Sequence, residues 1–477
     1  MKKIKERRLL DFITLGVILI GGFLVRLYKI DNPVADWHSW RQADTASVTR
    51  VYLQEGLNLL YPKYHDVSSI QTGLTNLEGY RMVEFPLFNF FHYLFYNLLP
   101  QISFEIWGRL VSIFSSLISA FFLFLLGKRF IGKSGGLLSA FFYLFIPYNV
   151  YFTRVILPEP LSVSLGVAAV WFFVVYIDKE KLSSLFASGF LFALSILVKP
   201  YSVFYAIPLV LLVFNKYKNI QGIVKGKWPL IYLDIVLVPF FLWRAWINQF
   251  PQGIPHFTWV FNGDHIRFRP AFWRWIFGER LGILILGGSG VALFVEGLIK
   301  SKNFLKLFFL GNIIYLTIIA TANIRHDYYQ IFIIPAIALI LAQGFLSYWE
   351  NKKSYLSKFI AVFLVFIMFI LGLDRIKEFY KINHPEIIEA GRVLDRLAPE
   401  GSKVIAPYNG DTAFLYQTKR WGWPVVDSSI PELIEKGAEF LVSVNFDKDT
   451  KEAMKIYKVI EKTDRYVIVD LRMKEGL

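Results

Sequence analysis

The sequence predicts an α-helical polytopic membrane protein with a small α/β domain at its carboxyl end. Of its 477 residues, 55% are hydrophobic, 18% aromatic and only 19% charged, whereas an ordinary soluble protein is about 45–50% apolar. The net charge is +15, yet the residues from 384 onward hold 14 Lys and Arg against 16 Asp and Glu. The excess cations therefore belong to the membrane part and follow its topology, and we expect no nucleic-acid partner. The chain has no cysteine, which excludes disulfides, thiolate zinc sites and a cysteine nucleophile.

Eleven apolar segments are predicted to cross the membrane. A spanning helix needs about 20 apolar residues, and the two segments on either side of Lys199 are shorter than that. The first segment follows five cations within residues 1–8, and no small-residue cleavage site comes after it, so we expect a retained anchor. The predicted spans are residues 9–30, 105–127, 135–152, 161–177, 184–199, 201–214, 229–249, 281–299, 304–322, 328–347 and 357–373.

The distribution of lysine and arginine predicts the orientation of these spans, because basic loops of membrane proteins lie on the cytoplasmic side. If residues 85–99 do not span, the amino terminus and every basic cluster face the cytoplasm; if they do span, every cluster faces outward. We therefore expect one outer loop over residues 31–104, with residues 85–99 as an interfacial helix, and an outer carboxyl terminus. The basic clusters lie near residues 128–133, 179–181, 216–227, 300–306 and 352–358.

Residues 383–477 predict a separate, extracytoplasmic α/β domain, which leaves residues 1–382 as the transmembrane domain. Gly401 and Gly410 do not form a phosphate-binding fingerprint, so no nucleotide site is expected in the tail. Helical patterns alternate with β-rich runs. The helical patterns are at residues 385–397, 431–436 and 450–456, and the β-rich runs are at residues 403–407, 440–444 and 466–470.

The first outer loop is the richest in unusual polar residues. Residues 36–45 read Asp-Trp-His-Ser-Trp-Arg-Gln-Ala-Asp-Thr, and a helix is predicted from near Thr45 onward. Asp36 and Asp44 are two candidate bases. The alternative for Asp44 is a helix N-cap, a position that aspartate favours. The same run supplies three polar candidates for contact with a substrate, which are His38, Arg41 and Gln42.

The second outer loop and the turn at Lys199 place charged groups at the outer edge of the membrane. Glu159 stands between two prolines, which hold it rigidly, and Arg154 belongs to the same loop. The alternative for Glu159 is a helix start, since proline suits the first turn and an acid favours the positive end of the helix dipole; both can hold at once. Lys199 lies where two short spans meet. Ionisable groups at such positions are functional candidates, although Lys199 can also snorkel to the interface.

Two later outer loops concentrate cations among aromatic side chains, against the positive-inside bias. The first runs from about residue 250 to 280, and the second from 323 to 329. We interpret the arginines as a site for the phosphate of a lipid, since arginine offers paired donors to phosphate; the alternative is an aromatic belt with scattered arginines. No pair of histidines at helical spacing supports zinc, so no metal or other cofactor is expected. The binding candidates are His265, Arg267, Arg325, His326 and Tyr328.

One or two outward carboxylates beside several cations suit the transfer of a sugar from a lipid phosphate to a hydroxyl. The carboxylate takes the proton of the acceptor as general base. A phosphate leaving group departs as a stable anion, so it needs help from cations more than from a second acid. A flippase or transporter of lipid-linked sugars is the alternative, but it should place ionisable residues in mid-span, whereas here they lie near span ends. A third possibility is a non-catalytic scaffold for envelope assembly.

Several short motifs follow one another along the membrane part. They are Arg-Gln-Ala-Asp-Thr at 41–45, Glu84-Phe85-Pro86, Arg109, Leu157-Pro158-Glu159-Pro160, Lys199, Asp-His-Ile-Arg-Phe at 264–268 and His-Asp-Tyr-Tyr at 326–329. Their order and spacing resemble the C-type (GT-C) superfamily of polytopic glycosyltransferases, which includes the protein O-mannosyltransferases and the aminoarabinose transferase of lipid A. The resemblance is strongest to a bacterial branch that shares the signature at 41–45.

The resemblance implies a GT-C fold and an inverting hexosyl or pentosyl transferase that uses a polyprenyl-phosphate sugar. The acceptor is then a hydroxyl of a glycan, lipid or protein, and the enzyme acts at the outer face of a prokaryotic plasma (inner) membrane. By the same resemblance, Asp44 is the base and Glu159 assists the acceptor. Glu84 and Arg109 belong to matching motifs and join the substrate-binding candidates.

The sequence departs from its relatives at two motifs. Many relatives carry an Asp-Glu pair in the register of Arg41 and Gln42, which leaves Asp36 as a rival base. Relatives of the lipid A enzyme carry Glu-Lys-Pro where Glu84-Phe85-Pro86 stands here, so one phosphate-binding cation is absent. The candidates to replace that cation are Lys199, Arg267 and Arg325.

Overall fold

Helices make up most of the described chain. The computed structural model describes residues 2–263, 265–350 and 354–474, with side chains from residue 10 onward except that of Ile220. Its α-helices are Lys2–Arg26, Ser39–Glu55, Leu87–Leu98, Phe104–Phe130, Lys133–Phe145, Pro147–Phe152, Glu159–Lys179, Leu182–Val198, Ile207–Tyr217, Ile220–Lys225, Trp228–Ile247, Trp259–Asn262, Pro270–Trp273, Gly290–Lys300, Asn303–Ile318, Ala320–Arg325, Ile334–Trp349, Tyr355–Ile376, Pro385–Leu397, Thr412–Thr418, Ile430–Glu435 and Lys448–Ile456. Tighter 3₁₀ segments lie at Pro200–Ala206, Pro251–Gly253, Ile266–Phe268, Asp327–Ile333 and Lys377–Tyr380, and a π-helix at Arg274–Ile285.

The structure confirms a multi-pass helical membrane protein, but it does not confirm the number of eleven spans. Among the described residues, five helical stretches are long and apolar enough to cross a membrane, and a sixth results if one bent pair counts as a single span. The predicted span 9–30 corresponds to the continuous helix Lys2–Arg26, and the remaining predicted spans are helical but short or broken. The five stretches are Phe104–Phe130, Glu159–Lys179, Trp228–Ile247, Asp327–Trp349 and the apolar helix Tyr355–Ile376 of the stretch Tyr355–Leu397; the bent pair is Pro270–Ile285 with Gly290–Lys300; shorter apolar helices are Leu182–Val198 and Asn303–Ile318.

Proline and glycine explain why two of the predicted spans are not continuous. The predicted span 135–152 divides into Lys133–Phe145 and Pro147–Phe152, because proline has no backbone N–H to continue the helical hydrogen bonds. The bent pair turns by 110°. At that bend Gly287 and Gly288 adopt φ angles of 51° and 72°, a region that favours glycine.

Two compact units divide the chain, and each consists of several chain segments. The first, which we call the membrane unit, comprises Met1–Ile30, Arg109–Trp243 and Phe257–Glu378. The second, which we call the loop–tail unit, comprises Asp31–Gly108, Arg244–His256 and Phe379–Leu477. Most of the first loop and the tail therefore fold within one unit. The domain boundary predicted at residue 383 stays a prediction.

Small residues let helices of the membrane unit approach one another closely. Helices Glu159–Lys179 and Leu182–Val198 form an antiparallel pair, in which the hydroxyls of Ser162 and Ser195 each donate to the backbone carbonyl of the other residue, at 2.9 and 2.6 Å. Elsewhere, a Cβ added at Gly344 would lie 1.9 Å from a backbone oxygen of a neighbouring helix. Only glycine fits such a contact.

The tail forms a mixed five-stranded sheet in the order β2-β1-β3-β5-β4. Strand β1 is parallel to β2 and β3, and β5 is antiparallel to β3 and β4. The three predicted β-rich runs correspond to β1, β3 and β5, whereas β2 and β4 were not predicted. The strands are β1 Lys403–Ile405, β2 Gly422–Trp423, β3 Ala438–Ser443, β4 Tyr457–Lys462 and β5 Val467–Lys474.

The sheet buries apolar side chains on both faces. Because side chains alternate along a strand, β3 sends Phe440 and Val442 into one core cluster and Leu441 into another. The first cluster also receives the apolar face of helix Pro385–Leu397, whose bounds are the ones predicted from the sequence. The tail is therefore an α/β structure, as predicted.

Candidate active site

Helix Ser39–Glu55 positions the candidate residues of the first loop. It begins six residues before Thr45, so Asp44 lies inside it and is only 1% exposed. The interpretation of Asp44 as an N-cap is therefore wrong. His38 precedes the helix with a φ angle of 54°, and residues 41–49 are all buried. Because the helix is covered on every side here, its polar groups need partners within the protein.

Asp44 is held by two donors from distant parts of the loop–tail unit. Its Oδ2 accepts from Nη2 of Arg81 at 2.9 Å, and its Oδ1 accepts from the hydroxyl of Thr412 at 2.7 Å. Arg81 is fixed in turn, since it also donates to Gln71 and packs over the ring of Tyr64. Each carboxylate oxygen thus has a partner in a buried site, which fixes the position of the group.

Asp36, the rival base, makes a different hydrogen bond in the same unit. Its Oδ1 accepts from Nε2 of Gln42 at 2.6 Å, and the residue is 4% exposed. Arg41 forms an ion pair with Glu84. Asp36 with Gln42 and Arg41 with Glu84 are thus contacts between candidates chosen from the sequence, whereas the donors to Asp44 are residues that the sequence did not single out.

Two further carboxylates of this unit, which sequence reasoning missed, lie close enough to Asp44 to feel its charge. Burial, together with the negative charge of Asp44, raises the pKa of Asp411 to about 6, and the same causes raise the pKa of Asp66 to about 6. Asp411 also caps helix Thr412–Thr418, because it accepts from the backbone N–H of Ala413 at 2.7 Å. The feature of the local sequence that could have predicted this capping role is an aspartate directly before a helical run.

The raised pKa of Asp411 predicts how the stability of the protein changes with pH. A carboxyl whose pKa rises from 3.8 to about 6 on folding binds more protons in the folded state, so it lowers stability as the pH rises through that range. We expect Asp411→Asn, which keeps a capping side chain, to melt at a higher temperature than the wild type above pH 6 and at the same temperature below pH 3.8. Thermal unfolding of detergent-solubilised protein across this range measures the difference.

Asp395 offers the matched control, because its pKa shifts in the opposite direction. Burial of Asp395 disfavours its ionised form. The cations favour it more strongly, since Nζ of Lys419 and Nη1 of Arg420 each lie 2.7 Å from a carboxylate oxygen of Asp395, and the pKa of Asp395 is therefore below its ordinary value. Asp395→Asn should therefore lower the melting temperature at neutral pH and lose its effect in acid. An Asp411→Asn protein that melts below the wild type at neutral pH would contradict the interpretation of Asp411.

Glu159 and Lys199 form a buried ion pair in the membrane unit. Glu159 is the first residue of helix Glu159–Lys179, which confirms the predicted helix start, and Lys199 directly follows the antiparallel helix Leu182–Val198. The start of one helix therefore meets the end of the other. Oε1 of Glu159 lies 3.1 Å from Nζ of Lys199, and the two side chains are 0% and 7% exposed. Lys199 is enclosed by protein rather than extended to the surface.

Arg109 and Arg154 bind the backbone that follows the first helix. Both residues are 0% exposed. Arg109 donates from Nη1 to the carbonyl of Ile30 at 2.5 Å, and Arg154 donates from Nη2 to the carbonyl of Lys29. These contacts fix the exit of the chain from the first helix. A contact of either arginine with a substrate stays a prediction.

The candidates Arg325, His326 and Tyr328 lie in an aromatic cluster of the membrane unit. The guanidinium of Arg325 is 5.5 Å from the ring centre of Trp259. The ring of His326 contacts Trp259 at 5.8 Å and stacks on Tyr328 at 5.6 Å. Arg267 donates to two backbone carbonyls, each at 3.2 Å. The cluster therefore joins cations and aromatic rings, as predicted for this loop.

The remaining charged groups of the loop at residues 250–280 have other surroundings. His265 is exposed, and the neighbouring Asp264 lies outside the described residues. Arg280 forms an ion pair with Asp327 at 3.3 Å and donates to the carbonyl of Ile324 at 2.9 Å. The anion that Arg280 faces in this structure is therefore a side chain of the same unit.

Known proteins of solved structure share this fold. A family model described as dolichyl-phosphate-mannose-protein mannosyltransferase matches residues 84–246. No curated protein matches the sequence significantly. The crystal structure of ArnT from Cupriavidus metallidurans bound to undecaprenyl phosphate is 12% identical, has a TM-score of 0.65, and matches over 96% of this chain and 97% of that chain. The chain has the GT-C fold.

A second GT-C structure matches over a smaller share of its own length. It is the oligosaccharyltransferase AglB from Archaeoglobus fulgidus in complex with an inhibitory peptide and a dolichol-phosphate, with 11% identity and a TM-score of 0.56. The match covers 90% of this chain and 69% of that chain. The resemblance to GT-C proteins that the sequence motifs predicted is thus confirmed at the level of the fold.

The charged groups that the structure describes do not form a recognisable metal centre. Within the ranges that the structure describes, no group of three or more His, Asp and Glu side chains could hold a metal ion. The carboxylates of Asp44, Asp36 and Glu84 face arginine, threonine or glutamine instead. Independence from metal stays a prediction.

Proposed function

We propose that this protein is an integral-membrane glycosyltransferase that moves a sugar from a polyprenyl-phosphate donor to an acceptor hydroxyl, with inversion. The observation that carries the proposal is the GT-C fold over 96% of the chain, shared with a protein whose structure contains undecaprenyl phosphate. AglB was solved with a dolichol-phosphate and a peptide, which supports the same class of lipid and a separate acceptor. The positive-inside distribution of cations supports action at the outer face of a plasma membrane.

We assign the role of general base to Asp44. A base must hold its carboxylate within hydrogen-bond reach of the proton that it takes, and Asp44 is fixed by Arg81 and Thr412 at 2.9 and 2.7 Å. The hydroxyl of Thr412 both donates and accepts, so it can turn aside when an acceptor hydroxyl approaches Oδ1. The acceptor oxygen then attacks the anomeric carbon opposite the phosphate. Its proton passes to the carboxylate, and the electrons of the broken bond leave with the phosphate oxygen.

The phosphate leaving group is stabilised by cations rather than protonated by an acid. The candidates for this role are Lys199, Arg267 and Arg325. Lys199 is the best placed of them energetically, because a buried ammonium acts in a medium of low dielectric, where its interaction with a phosphate is stronger than in water. Glu159, at 3.1 Å from Lys199, keeps this cation in place and assists the acceptor.

Release of free polyprenyl phosphate by purified protein in detergent tests the proposal. The donors are a panel of polyprenyl-phosphate sugars, supplied together with glycan, lipid and protein acceptors. A flippase has no membrane to cross in detergent and converts nothing, so turnover supports a transferase and rejects the transporter. Tight binding of the donors with no turnover across the whole acceptor panel would contradict the proposal.

A further inference from the structure

Thr412 is the residue through which the tail reaches the candidate base. It is the first residue of helix Thr412–Thr418 and is 5% exposed. Asp411 caps this helix at the backbone N–H of Ala413, at 2.7 Å, which fixes the backbone that carries the hydroxyl. The position of this hydroxyl is therefore set by the tail, whereas Asp44 belongs to the first loop.

The hydroxyl of Thr412 has two acceptors within reach. Its Oγ1 lies 2.7 Å from Oδ1 of Asp44 and 3.2 Å from the backbone carbonyl oxygen of Trp40. A threonine hydroxyl carries one hydrogen and can also accept, so the two oxygens compete for that hydrogen. The ionised carboxylate wins this competition, because hydrogen bonds to a charged acceptor are shorter and stronger. The carbonyl of Trp40 is the second acceptor to which the hydrogen can turn.

A buried base needs different partners before and after it takes a proton. The side chain of Asp44 is 0% exposed, so it lies away from bulk solvent. An ionised carboxylate only accepts hydrogen bonds, whereas a protonated carboxyl carries a hydrogen that needs an acceptor. Arg81, which lies 2.9 Å from Oδ2, can only donate. Thr412 can donate to the ionised form and accept from the protonated form, so it suits both states.

We propose that Thr412 is a positioning residue whose hydrogen follows the charge of the base. While Asp44 is ionised, the hydroxyl donates to Oδ1 and aims the carboxylate. When Asp44 takes the proton of the acceptor, the hydrogen of Thr412 turns to the carbonyl of Trp40, and Oγ1 accepts from the new O–H. Thr412 keeps its own hydrogen throughout. The proposal rests on the proposed function, since it takes Asp44 as the base, and it makes the tail part of the active site.

Thr412→Val removes the hydroxyl and keeps the branched shape of the side chain. The ionised carboxylate then lacks one donor, so we expect the acid limb of the pH profile of kcat/KM to move up by about one pH unit, the effect of one hydrogen bond to a charged group. On the plateau, kcat should fall about tenfold, because the carboxylate is aimed less well, while KM for the lipid donor changes little. Thr412→Ser keeps a hydroxyl and should restore both values.

The other charged and titratable groups that face Asp44 are unchanged in these variants. A difference between the pH profiles of wild type and variant is therefore due to the hydroxyl of Thr412. These groups are Tyr64, Asp66, Arg81 and Asp411.

Thr450→Val is the matched control, because it makes the same change at another buried hydroxyl of the tail. Thr450 is 1% exposed, and its Oγ1 donates to the hydroxyl of Ser443 at 3.0 Å. Thr450→Val should therefore leave the pH profile and kcat as they are in the wild type, even where it lowers the melting temperature. Thr412→Ala also lacks the hydroxyl and favours the helix, so it replaces Thr412→Val if that protein does not fold.

The experiment measures release of free polyprenyl phosphate by the full-length proteins in detergent as a function of pH, with the melting temperature of each variant as a check of folding. An active wild type and a folded Thr412→Val protein with the same pH profile and kcat would overturn the role of Thr412 and leave the proposed function standing. The same loss in Thr412→Ser as in Thr412→Val would overturn it as well. A wild type without turnover on any donor and acceptor would reject the proposed function, and the role of Thr412 with it.

Discussion

Asp44→Asn is expected to lower the rate of sugar transfer by about 10²–10⁴-fold, the contribution typical of a positioned general base. Asparagine has nearly the same shape and can still accept a hydrogen bond from Thr412, but it cannot take a proton from the acceptor. Affinity for the lipid donor should change little, because the base acts on the acceptor. The measurement is the release of free polyprenyl phosphate, together with donor binding, by wild-type and variant proteins in detergent.

Asp36→Asn is the matched control for this experiment. It makes the same change of charge and shape at another buried carboxylate, one that accepts from Gln42 at 2.6 Å. Loss of turnover only in Asp44→Asn supports Asp44 as the base, whereas loss only in Asp36→Asn moves the base eight residues upstream. Because Asp44→Asn removes the carboxylate that faces Arg81, its melting temperature must be measured as well. A folded Asp44→Asn protein with full turnover would contradict the assignment.

The sequence predicted the candidate carboxylate but not what holds it. Asp44 belongs to a short polar run that stands out in an apolar chain, and this contrast is visible without a structure. Its partners Arg81 and Thr412 lie 37 and 368 residues further along. Contacts between residues so far apart in the sequence cannot be predicted from a local pattern, since each partner lies in a segment whose sequence is typical of an ordinary loop or helix start. The same holds for Asp66, whose shifted pKa depends on burial.

The fold was predicted where one physical rule dominates. Long apolar runs became helices because backbone groups in lipid must be satisfied within the segment, and the β-rich runs became β1, β3 and β5. The rule fails for interrupted segments such as Pro200–Ala206, which is a 3₁₀ helix, and Arg274–Ile285, which is a π-helix. Strand β2 is two residues long and shows no alternation. It forms a bridge to Asp66 of the first loop, so it depends on a contact that the local sequence does not contain.

Lys199→Met is expected to destabilise the membrane unit by about 3–5 kcal/mol, the usual cost of removing one partner of a buried ion pair. The side chain of Glu159 is 0% exposed, so its charge lies away from bulk solvent. Methionine has a similar length and fills the space of the lysine stem, which limits the effect to charge. Thermal or denaturant unfolding of the detergent-solubilised protein measures the loss. An unchanged melting temperature would contradict the buried pair.

The double variant Glu159→Gln with Lys199→Met separates the structural part of this pair from its part in transfer. Replacing both charges of a buried pair by neutral groups is often neutral or stabilising, so the double variant should recover most of the stability that Lys199→Met loses. The coupling between the two positions follows from the four proteins of the cycle. If the pair acts in transfer, through Lys199 on the departing phosphate or Glu159 on the acceptor, the recovered protein still transfers sugar about 10²–10³-fold more slowly, as when one electrostatic contact to a transition state is removed. If the double variant recovers both stability and turnover, the ion pair only holds together the two helices that carry it and has no part in the transfer reaction.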